Sequence, residues 1–213
     1  MLLRLYPDHV DVLLILIPVL MFALCFHEFS HAFVAYILGD DTAQRQGRLT
    51  LNPLAHLDPI GSLMILLVGF GWAKPVPVNP LKLNDRHSGM IKIAFAGPAS
   101  NLLLAFLCGC LVRVVNGFNI EIDQTFSTVI YFFLYINIAL AVFNLIPVAP
   151  LDGSQIFGAL IGRKNPDLAW KLQINGPKIL LVLILFGMIT GYSIIGAIIS
   201  PFIKFFMYLF AGI

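Results

Sequence analysis

The sequence CFHEFSH, residues 25–31, is the stretch around which the rest of the chain is organised. It lies inside an apolar run, residues 10–38, which is long enough to cross a bilayer because about 20 helical residues span the hydrocarbon core. Residues four apart share one face of a helix, so His27 and His31 can direct ring nitrogens at a single metal ion. Glu28 lies one step around the helix, within reach of a water molecule at that metal. Ionisable groups inside a membrane are costly, and we therefore expect these three side chains to be functional.

The composition predicts an integral membrane protein. The chain has 213 residues, of which 59% are hydrophobic and 11% are charged, and its mean hydropathy is +0.92; a soluble domain carries about 25% charged residues. We expect residues 1–213 to form a single membrane-embedded domain, with the first span acting as an uncleaved signal. The net charge of +2, without a basic cluster between aromatic residues, indicates no nucleic-acid partner.

The apolar runs predict an all-α polytopic membrane protein, a bundle of transmembrane helices. A short helix is expected over 152–162, after the break at Pro147 and Pro150. Pro201 is expected to end the last span, which leaves open whether residues 200–213 cross the membrane or lie at its interface. The predicted spans are 10–38, 90–113, 127–147 and 179–199.

Residues 61–80 predict a re-entrant, partly extended (β-like) loop within this bundle. Residues 61–70 are apolar but too short to span, and GWAKPVPVNP follows at 71–80. The closely spaced prolines forbid a helix and favour extended backbone. Such backbone is tolerated at membrane depth only where it packs on protein or lines a wet cavity. The alternative is an ordinary surface loop after a short helix.

Lysine and arginine predict the orientation. Six lie in the connection 39–92 and four in the connection 163–178, whereas Arg4 and Arg113 lie on the opposite side and Lys204 beyond the last span. The positive-inside rule therefore places both richer connections in the cytoplasm and the N-terminus outside. We expect a multi-pass protein of the cell membrane with the histidines nearer the cytoplasmic face.

A catalytic zinc site needs three protein ligands and one open position, so a third ligand must be found. The three cysteines lie in apolar runs and are interpreted as small buried hydrophobic residues. Most carboxylates fall in connections or at span ends, whereas Asp152 falls in a break at membrane level. Asp152 is therefore the predicted third ligand; the alternative is that it caps the N-terminus of the following helix.

Several motifs together resemble the site-2 protease family of intramembrane zinc metalloproteases. They occur in that family's order and spacing: HEFSH at 27–31, GRLTLNP at 47–53, GWAKPVP at 71–77, GPASN at 97–101 and NLIPVAPLDG at 144–153. The resemblance is to a small subfamily without PDZ or CBS domains. It implies one Zn²⁺ per chain held by His27, His31 and Asp152, with Glu28 as catalytic acid and base. It also implies a lipid-embedded endopeptidase that cleaves transmembrane segments of protein substrates.

Further site residues are predicted with alternatives. Asn144, and after it Asn101, are oxyanion donors in the first interpretation and helix-to-helix or capping residues in the second. The extended stretch could pair with an unwound substrate. The candidate substrate-binding residues are therefore Trp72, Lys74, Pro75, Val76 and Pro77. His56 either gates the site, positions substrate or approaches the metal, or it makes hydrogen bonds within its own loop.

Two other classes of function compete with a protease. A non-proteolytic membrane zinc-binding protein or carrier would be expected to show internal repeats and matched broken helices, and the sequence shows neither. An inactive scaffold that binds helices would not need Glu28. The oligomeric state and the physiological substrate stay open.

Overall fold

A computed structural model describes residues 10–68, 71–162 and 164–213. Predictions that involve the N-terminal residues 1–9, residues 69–70 of the predicted re-entrant loop, and Arg163 in the second basic connection lie outside the described residues.

The described chain is a helical bundle without a strand in the ranges just given. The helices are α1 (Val10–Ile37), α2 (Thr42–Arg45), α3 (Pro59–Val68), α4 (Arg86–Gly117), α5 (Gln124–Asn144), α6 (Asp152–Gly162), α7 (Pro166–Thr190) and α8 (Ile194–Ala211), with short 3-10 helices at Pro53–Ala55 and Pro80–Lys82. Five of these described helices, α1, α4, α5, α7 and α8, are long and apolar enough to cross a membrane, which confirms the prediction of an all-α polytopic membrane protein.

Helices α1, α4 and α5 pack against one another and form the centre of the bundle. Small residues allow the close approach: Ala23, Ala32 and Ala35 of α1 are fully buried, as is Ala105 of α4. Backbones that come this near gain van der Waals contact, which is the main source of helix association in lipid. The two metal-ligand candidates of α1 therefore lie on a helix whose position is set by two neighbours.

Polar caps determine where several helices begin. The Asp85 carboxylate accepts hydrogen bonds from the backbone N–H groups of His87 and Ser88 at the start of α4. Asn165 and Ser193 similarly accept from backbone N–H groups at the starts of α7 and α8. These groups satisfy helix N–H donors that have no partner within the helix.

The C-terminal part differs from the predicted span over 179–199. The structure has two helices there, because Gly191 ends α7 in the left-handed region at φ 75° and Ser193 then caps α8. Pro201 lies inside α8 and does not break it, since a helix packed on neighbours tolerates the loss of one N–H donor. The C-terminal end of α8 lies beside that of α4, where the Arg113 guanidinium donates to the carbonyls of Tyr208, Leu209 and Phe210.

The connection between α1 and α4 folds back on itself. Residues 71–79, called the extended segment below, have no helical structure, and Ala73 forms an isolated antiparallel bridge with Leu57. Gly61 at the start of α3 lies directly against Trp72, and a Cβ on Gly61 would collide with the Trp72 carbonyl. The extended segment therefore packs on α3, as expected for a helix followed by an extended return.

Candidate metal centre and its cleft

Three potential ligand atoms meet between α1 and α6. The Nε2 atoms of His27 and His31 are 3.0 Å apart, and Oδ2 of Asp152 lies 3.1 Å from the first and 3.3 Å from the second. Ligands of a tetrahedral zinc with bonds of about 2.0–2.1 Å lie roughly 3.3 Å from one another. Among the described residues, these are the three whose ligand atoms cluster closely enough to hold a metal ion. The separations fit a zinc site with little adjustment.

The second nitrogen of each imidazole is engaged elsewhere. His27 Nδ1 lies 2.7 Å from the side-chain oxygen of Asn101 on α4, and His31 Nδ1 lies 2.6 Å from the backbone carbonyl of Ile93. Both partners are oxygen acceptors, so each Nδ1 carries a proton and donates it. Each neutral ring then presents an Nε2 lone pair toward Asp152, which is the tautomer a metal ligand requires.

The chemistry of these atoms requires a cation among them. Two Nε2 lone pairs and a carboxylate oxygen converge, and Asp152 Oδ2 is buried without a well-aligned hydrogen bond. Only a proton or a metal ion can offset the repulsion among three acceptor atoms held at this distance. The Asp152 carboxylate points at the two imidazoles, so the structure departs from the alternative in which Asp152 serves only as a helix cap.

Gly97 of α4 keeps space beside the two imidazoles. A Cβ at this position would collide with Nε2 of both His27 and His31. The absence of a side chain lets α4 approach α1 while leaving room around the ligand nitrogens. This space and the donor set together fit a zinc ion.

Glu28 opens onto a cleft of about 470 Å³ that also contains the three ligand residues. Among the described residues its carboxylate has no hydrogen-bond or ion-pair partner, so it is available to a water molecule. Gln155, one turn after Asp152 on α6, also lines the cleft, and sequence reasoning had missed it. A polar residue three positions from a predicted ligand on the same helix was the available signal.

The two asparagines predicted as oxyanion donors have different surroundings. Asn144 lines the cleft, and its Nδ2 donates to the Leu140 carbonyl at 3.0 Å; an amide nitrogen carries a second hydrogen for another acceptor. Asn101 is fully buried, and its Nδ2 donates to Ala23 O at 3.2 Å and to Asn137 Oδ1 at 2.9 Å. Both amide hydrogens of Asn101 have acceptors on neighbouring helices, which favours the alternative in which Asn101 bonds helix to helix.

His56 lies in the loop network and outside the metal cluster. It is 2% exposed, and its Nε2 donates to the Thr50 carbonyl at 2.8 Å. Its own carbonyl accepts from Lys74 N–H at 2.8 Å. His56 thus makes hydrogen bonds within the loop, which was the alternative to its approach to the metal.

The extended segment forms one wall of the cleft. Trp72, Pro75 and Val76 line it, together with Gly71, Ala73 and Val78. Lys74 and Pro77 do not line it, and the backbone of Lys74 is instead bonded to the loop. Five predicted substrate-binding residues therefore divide into three that face the cleft and two that do not.

Two side chains from outside the segment hold its backbone. Arg48, buried to 5% exposure, donates from Nη2 to Lys74 O at 2.5 Å and from Nη1 to Pro75 O at 3.1 Å. The fully buried Asp40 accepts from Asn79 N–H at 2.6 Å. The segment is therefore fixed near its middle and at its end, and Val76 lies between the two attachments.

An exposed ion-pair cluster lies next to the Asp40 attachment. Asp41 accepts from Lys82 Nζ at 2.5 Å and pairs with Arg45 at 2.5 Å. The hydrogen bond from Lys82 lowers the pKa of Asp41, partly opposed by desolvation and reinforced by Arg45. The cluster joins α2 to the turn after the extended segment.

Two buried imidazoles and a partly buried carboxylate that converge within a bundle of apolar helices, beside Glu28 in one cleft, are typical of a metallopeptidase of the membrane. The model of "Peptidase family M50" matches residues 109–187. The "Putative zinc metalloprotease YwhC" of Bacillus subtilis (strain 168) is 44% identical over 150 residues, which are 68% of this chain and 68% of that protein. The "Putative zinc metalloprotease Rip2" of Mycolicibacterium smegmatis is 34% identical over 166 residues, 75% of this chain and 61% of that protein.

The chain belongs to peptidase family M50, the site-2 protease family of zinc metalloproteases. It is accordingly a membrane-embedded metalloprotease with Zn²⁺ as its cofactor. The structure of "Site-2 Protease from Methanocaldococcus jannaschii" is similar with a TM-score of 0.46 and 22% identity, covering 96% of this chain and 87% of that one.

Proposed function

We propose that this chain hydrolyses peptide bonds in or near the transmembrane segments of membrane proteins, using zinc held by His27, His31 and Asp152. The observation that carries the proposal is the convergence of two Nε2 lone pairs and one carboxylate oxygen beside Glu28 in one cleft. A single ion held by three ligands leaves one position open, which is the arrangement of catalytic zinc.

The residues around this open position have separate chemical roles. Bound zinc supplies Lewis acidity, which polarises a carbonyl and acidifies water. Glu28 is the group that takes a proton from the attacking water and returns it to the leaving amine. The remaining amide hydrogen of Asn144, in the same cleft, is the best donor for the developing oxyanion.

The extended segment is the proposed docking edge for substrate. A helical substrate hides its amides in internal hydrogen bonds and must be unwound locally before attack. An unwound strand can pair with another extended strand, and residues 71–78 supply one along the cleft wall. Pro75 and Pro77 lack N–H donors, so within residues 75–78 the N–H groups of Val76 and Val78 are the donors offered to the cleft. Photo-crosslinking from position 76 to a bound substrate tests this edge, and its absence at every position from 71 to 78 would reject it.

We also propose a cell-membrane location with the cleft nearer the cytoplasm. The support is the excess of lysine and arginine in the connection between α1 and α4 over the opposite side. A cysteine introduced at Lys82, in a background lacking the native cysteines, should react with an impermeant maleimide only after cells are lysed. Labelling in intact cells would reverse the orientation.

The test of the protease proposal is Glu28→Gln, with Glu121→Gln as its matched control, since these are the two glutamates of the chain. We expect Glu28→Gln to keep stoichiometric zinc and to lose cleavage of a co-reconstituted membrane substrate by about 10²–10⁴-fold. Glu121, which is not among the residues that line the cleft, should tolerate the change. Cleavage by Glu28→Gln within tenfold of wild type would refute the mechanism, and purified protein without zinc would refute the metal site.

The same preparation separates a protease from a zinc carrier. A carrier would move zinc across proteoliposomes whether or not position 28 carries a carboxylate that can exchange protons with water. We expect no zinc flux above that of empty vesicles. Zinc flux without proteolysis would favour the carrier.

A further inference from the structure

A chain of buried amides links α5 to the metal centre. Asn137 is fully buried on α5, and its Nδ2 donates to the Phe133 carbonyl at 2.8 Å. Its Oδ1 accepts from Asn101 Nδ2 at 2.9 Å, and Asn101 Oδ1 accepts from His27 Nδ1 at 2.7 Å. Three helices thus contribute one residue each to a continuous hydrogen-bond path.

The Phe133 carbonyl determines which way each side-chain amide in this hydrogen-bond path is turned. The Phe133 carbonyl can only accept, so the amide of Asn137 must turn its nitrogen toward α5 and its oxygen toward Asn101. That oxygen can only accept, so Asn101 must turn its nitrogen to Asn137 and its oxygen to His27. The oxygen in turn requires a proton on His27 Nδ1, which leaves the Nε2 lone pair for the metal.

We propose that Asn137 is a positioning residue of the zinc centre, which acts through Asn101 to hold His27 in the orientation and tautomer that bind metal. This inference rests on the proposed ligand role of His27. Asn101 is the direct partner of the ligand, and Asn137 is one bond further away. Ala23 O also accepts from Asn101 Nδ2, at 3.2 Å. The Asn101 amide is therefore held in this orientation by both Asn137 and the backbone of α1.

The competing explanation is that Asn137 only ties α5 to α4. A buried polar side chain between helices stabilises their association in lipid whether or not a metal is present. The two explanations differ in what they predict for zinc affinity at equal loss of stability. Leu134, fully buried one turn earlier on α5, provides the comparison because it packs against α4 and α8 residues and lies outside the amide path.

The experiment measures the zinc dissociation constant by chelator competition, together with the melting temperature, in detergent-solubilised protein. Partners of metal-bound histidines typically contribute 10–100-fold to metal affinity, so Asn101→Leu should weaken zinc binding by about tenfold or more. Asn137→Leu should weaken zinc binding by about three- to tenfold. If the leucine side chain prevents folding, Asn137→Ala is the second variant, and it should weaken zinc binding in the same direction. Leu134→Ala should lower the melting temperature and leave the zinc constant within twofold.

The double variant Asn101→Leu with Asn137→Leu gives the decisive reading. If Asn137 acts through Asn101, the double variant binds zinc as weakly as Asn101→Leu alone. Additive losses would show that Asn137 does not act through Asn101. An unchanged zinc constant in both Asn137 variants, or an equal loss in Leu134→Ala, would also overturn the proposal. Absence of zinc from wild type would instead reject the proposed metal site itself.

Discussion

The two walls of the cleft are built in different ways. On the histidine wall, formed by α1, α4 and α5, the polar groups that orient the imidazoles are buried and have directed partners, with Asn101 and Asn137 both fully inaccessible. On the extended wall, formed by residues 71–78, the chain is partly exposed, with Trp72 at 45%, and its backbone is held by Arg48 and Asp40. One wall is fixed by helix packing, whereas the other is fixed by two side chains.

This difference matches the role proposed for each wall. A metal site loses affinity when its ligands move by fractions of an ångström, and a packed helical core restricts such movement. A strand that accepts a substrate must instead leave donors unpaired and accessible. Changes on the histidine wall should therefore affect zinc, and changes on the extended wall should affect substrate with zinc retained.

The largest expected effect is at the metal centre, from Asp152→Asn on α6, whose carboxylate approaches both imidazoles of the histidine wall. A four-ligand zinc site binds with about 10–16 kcal/mol in total, or roughly 2.5–4 kcal/mol per ligand. Loss of the charged oxygen should weaken zinc binding by about 10²–10³-fold and remove cleavage. Asp123→Asn, at the N-cap of α5, is the control and should retain zinc. Full zinc occupancy in Asp152→Asn at micromolar free zinc would count against Asp152 as a ligand.

A smaller loss is expected on the histidine wall, from Gly97→Ala on α4. The new Cβ would collide with both ligand nitrogens, and overpacking of this kind costs about 1–3 kcal/mol. Zinc affinity should fall by about 30-fold, measured by chelator competition. Gly158→Ala on α6 is the matched control because its Cβ would meet nothing within 4 Å. Equal affinities in the two variants would mean that the space beside the imidazoles is not needed.

The extended wall should respond differently, and Arg48→Met tests this. Two guanidinium hydrogen bonds to Lys74 O and Pro75 O are lost, so the segment is held less firmly. We expect kcat/KM to fall by about tenfold, or roughly 1.4 kcal/mol, with zinc content unchanged. Arg45→Met removes an arginine that is 72% exposed and should have little effect. Loss of zinc in Arg48→Met would break the distinction between the walls.

The smallest effect concerns the ion pair at the end of the extended segment. Since Lys82 lowers the pKa of folded Asp41, the pair stabilises the protein above the unfolded pKa of about 3.9 and loses this contribution as pH falls through the folded pKa. The melting temperature of wild type should exceed that of Asp41→Asn slightly near neutral pH, and the difference should vanish in strong acid. A difference that persists there, or that survives Lys82→Met, would exclude the ion pair as its source.

Sequence patterns predicted the parts of the molecule that depend on local spacing. His27 and His31 share a helical face because they are four apart, and the prolines at 75 and 77 prevent a helix wherever they occur. The apolar content of residues 10–38 likewise predicted a spanning helix, because it is a property of one continuous stretch of the chain.

Other features depend on which helices meet, and local patterns do not contain that information. Asn101 had two sequence interpretations, an oxyanion donor or a helix-to-helix residue, and only the packing shows that α1 and α5 supply acceptors for both of its amide hydrogens. Asn137 was overlooked, although an asparagine in the middle of an apolar span was a usable signal. The turn at Gly191 was missed because apolar residues continue on both sides of it, so hydropathy alone did not separate α7 from α8.

X-ray absorption at the zinc edge tests the central claim most directly. For wild-type protein, the proposed ligands predict nitrogen and oxygen scatterers at about 2.0–2.2 Å, with outer-shell signals from two imidazoles and no sulfur. In Asp152→Asn, any zinc that remains should have altered oxygen coordination with the imidazole signals retained. A sulfur shell at about 2.3 Å would instead make a cysteine the ligand, and a spectrum without two imidazoles would contradict the account built on His27 and His31.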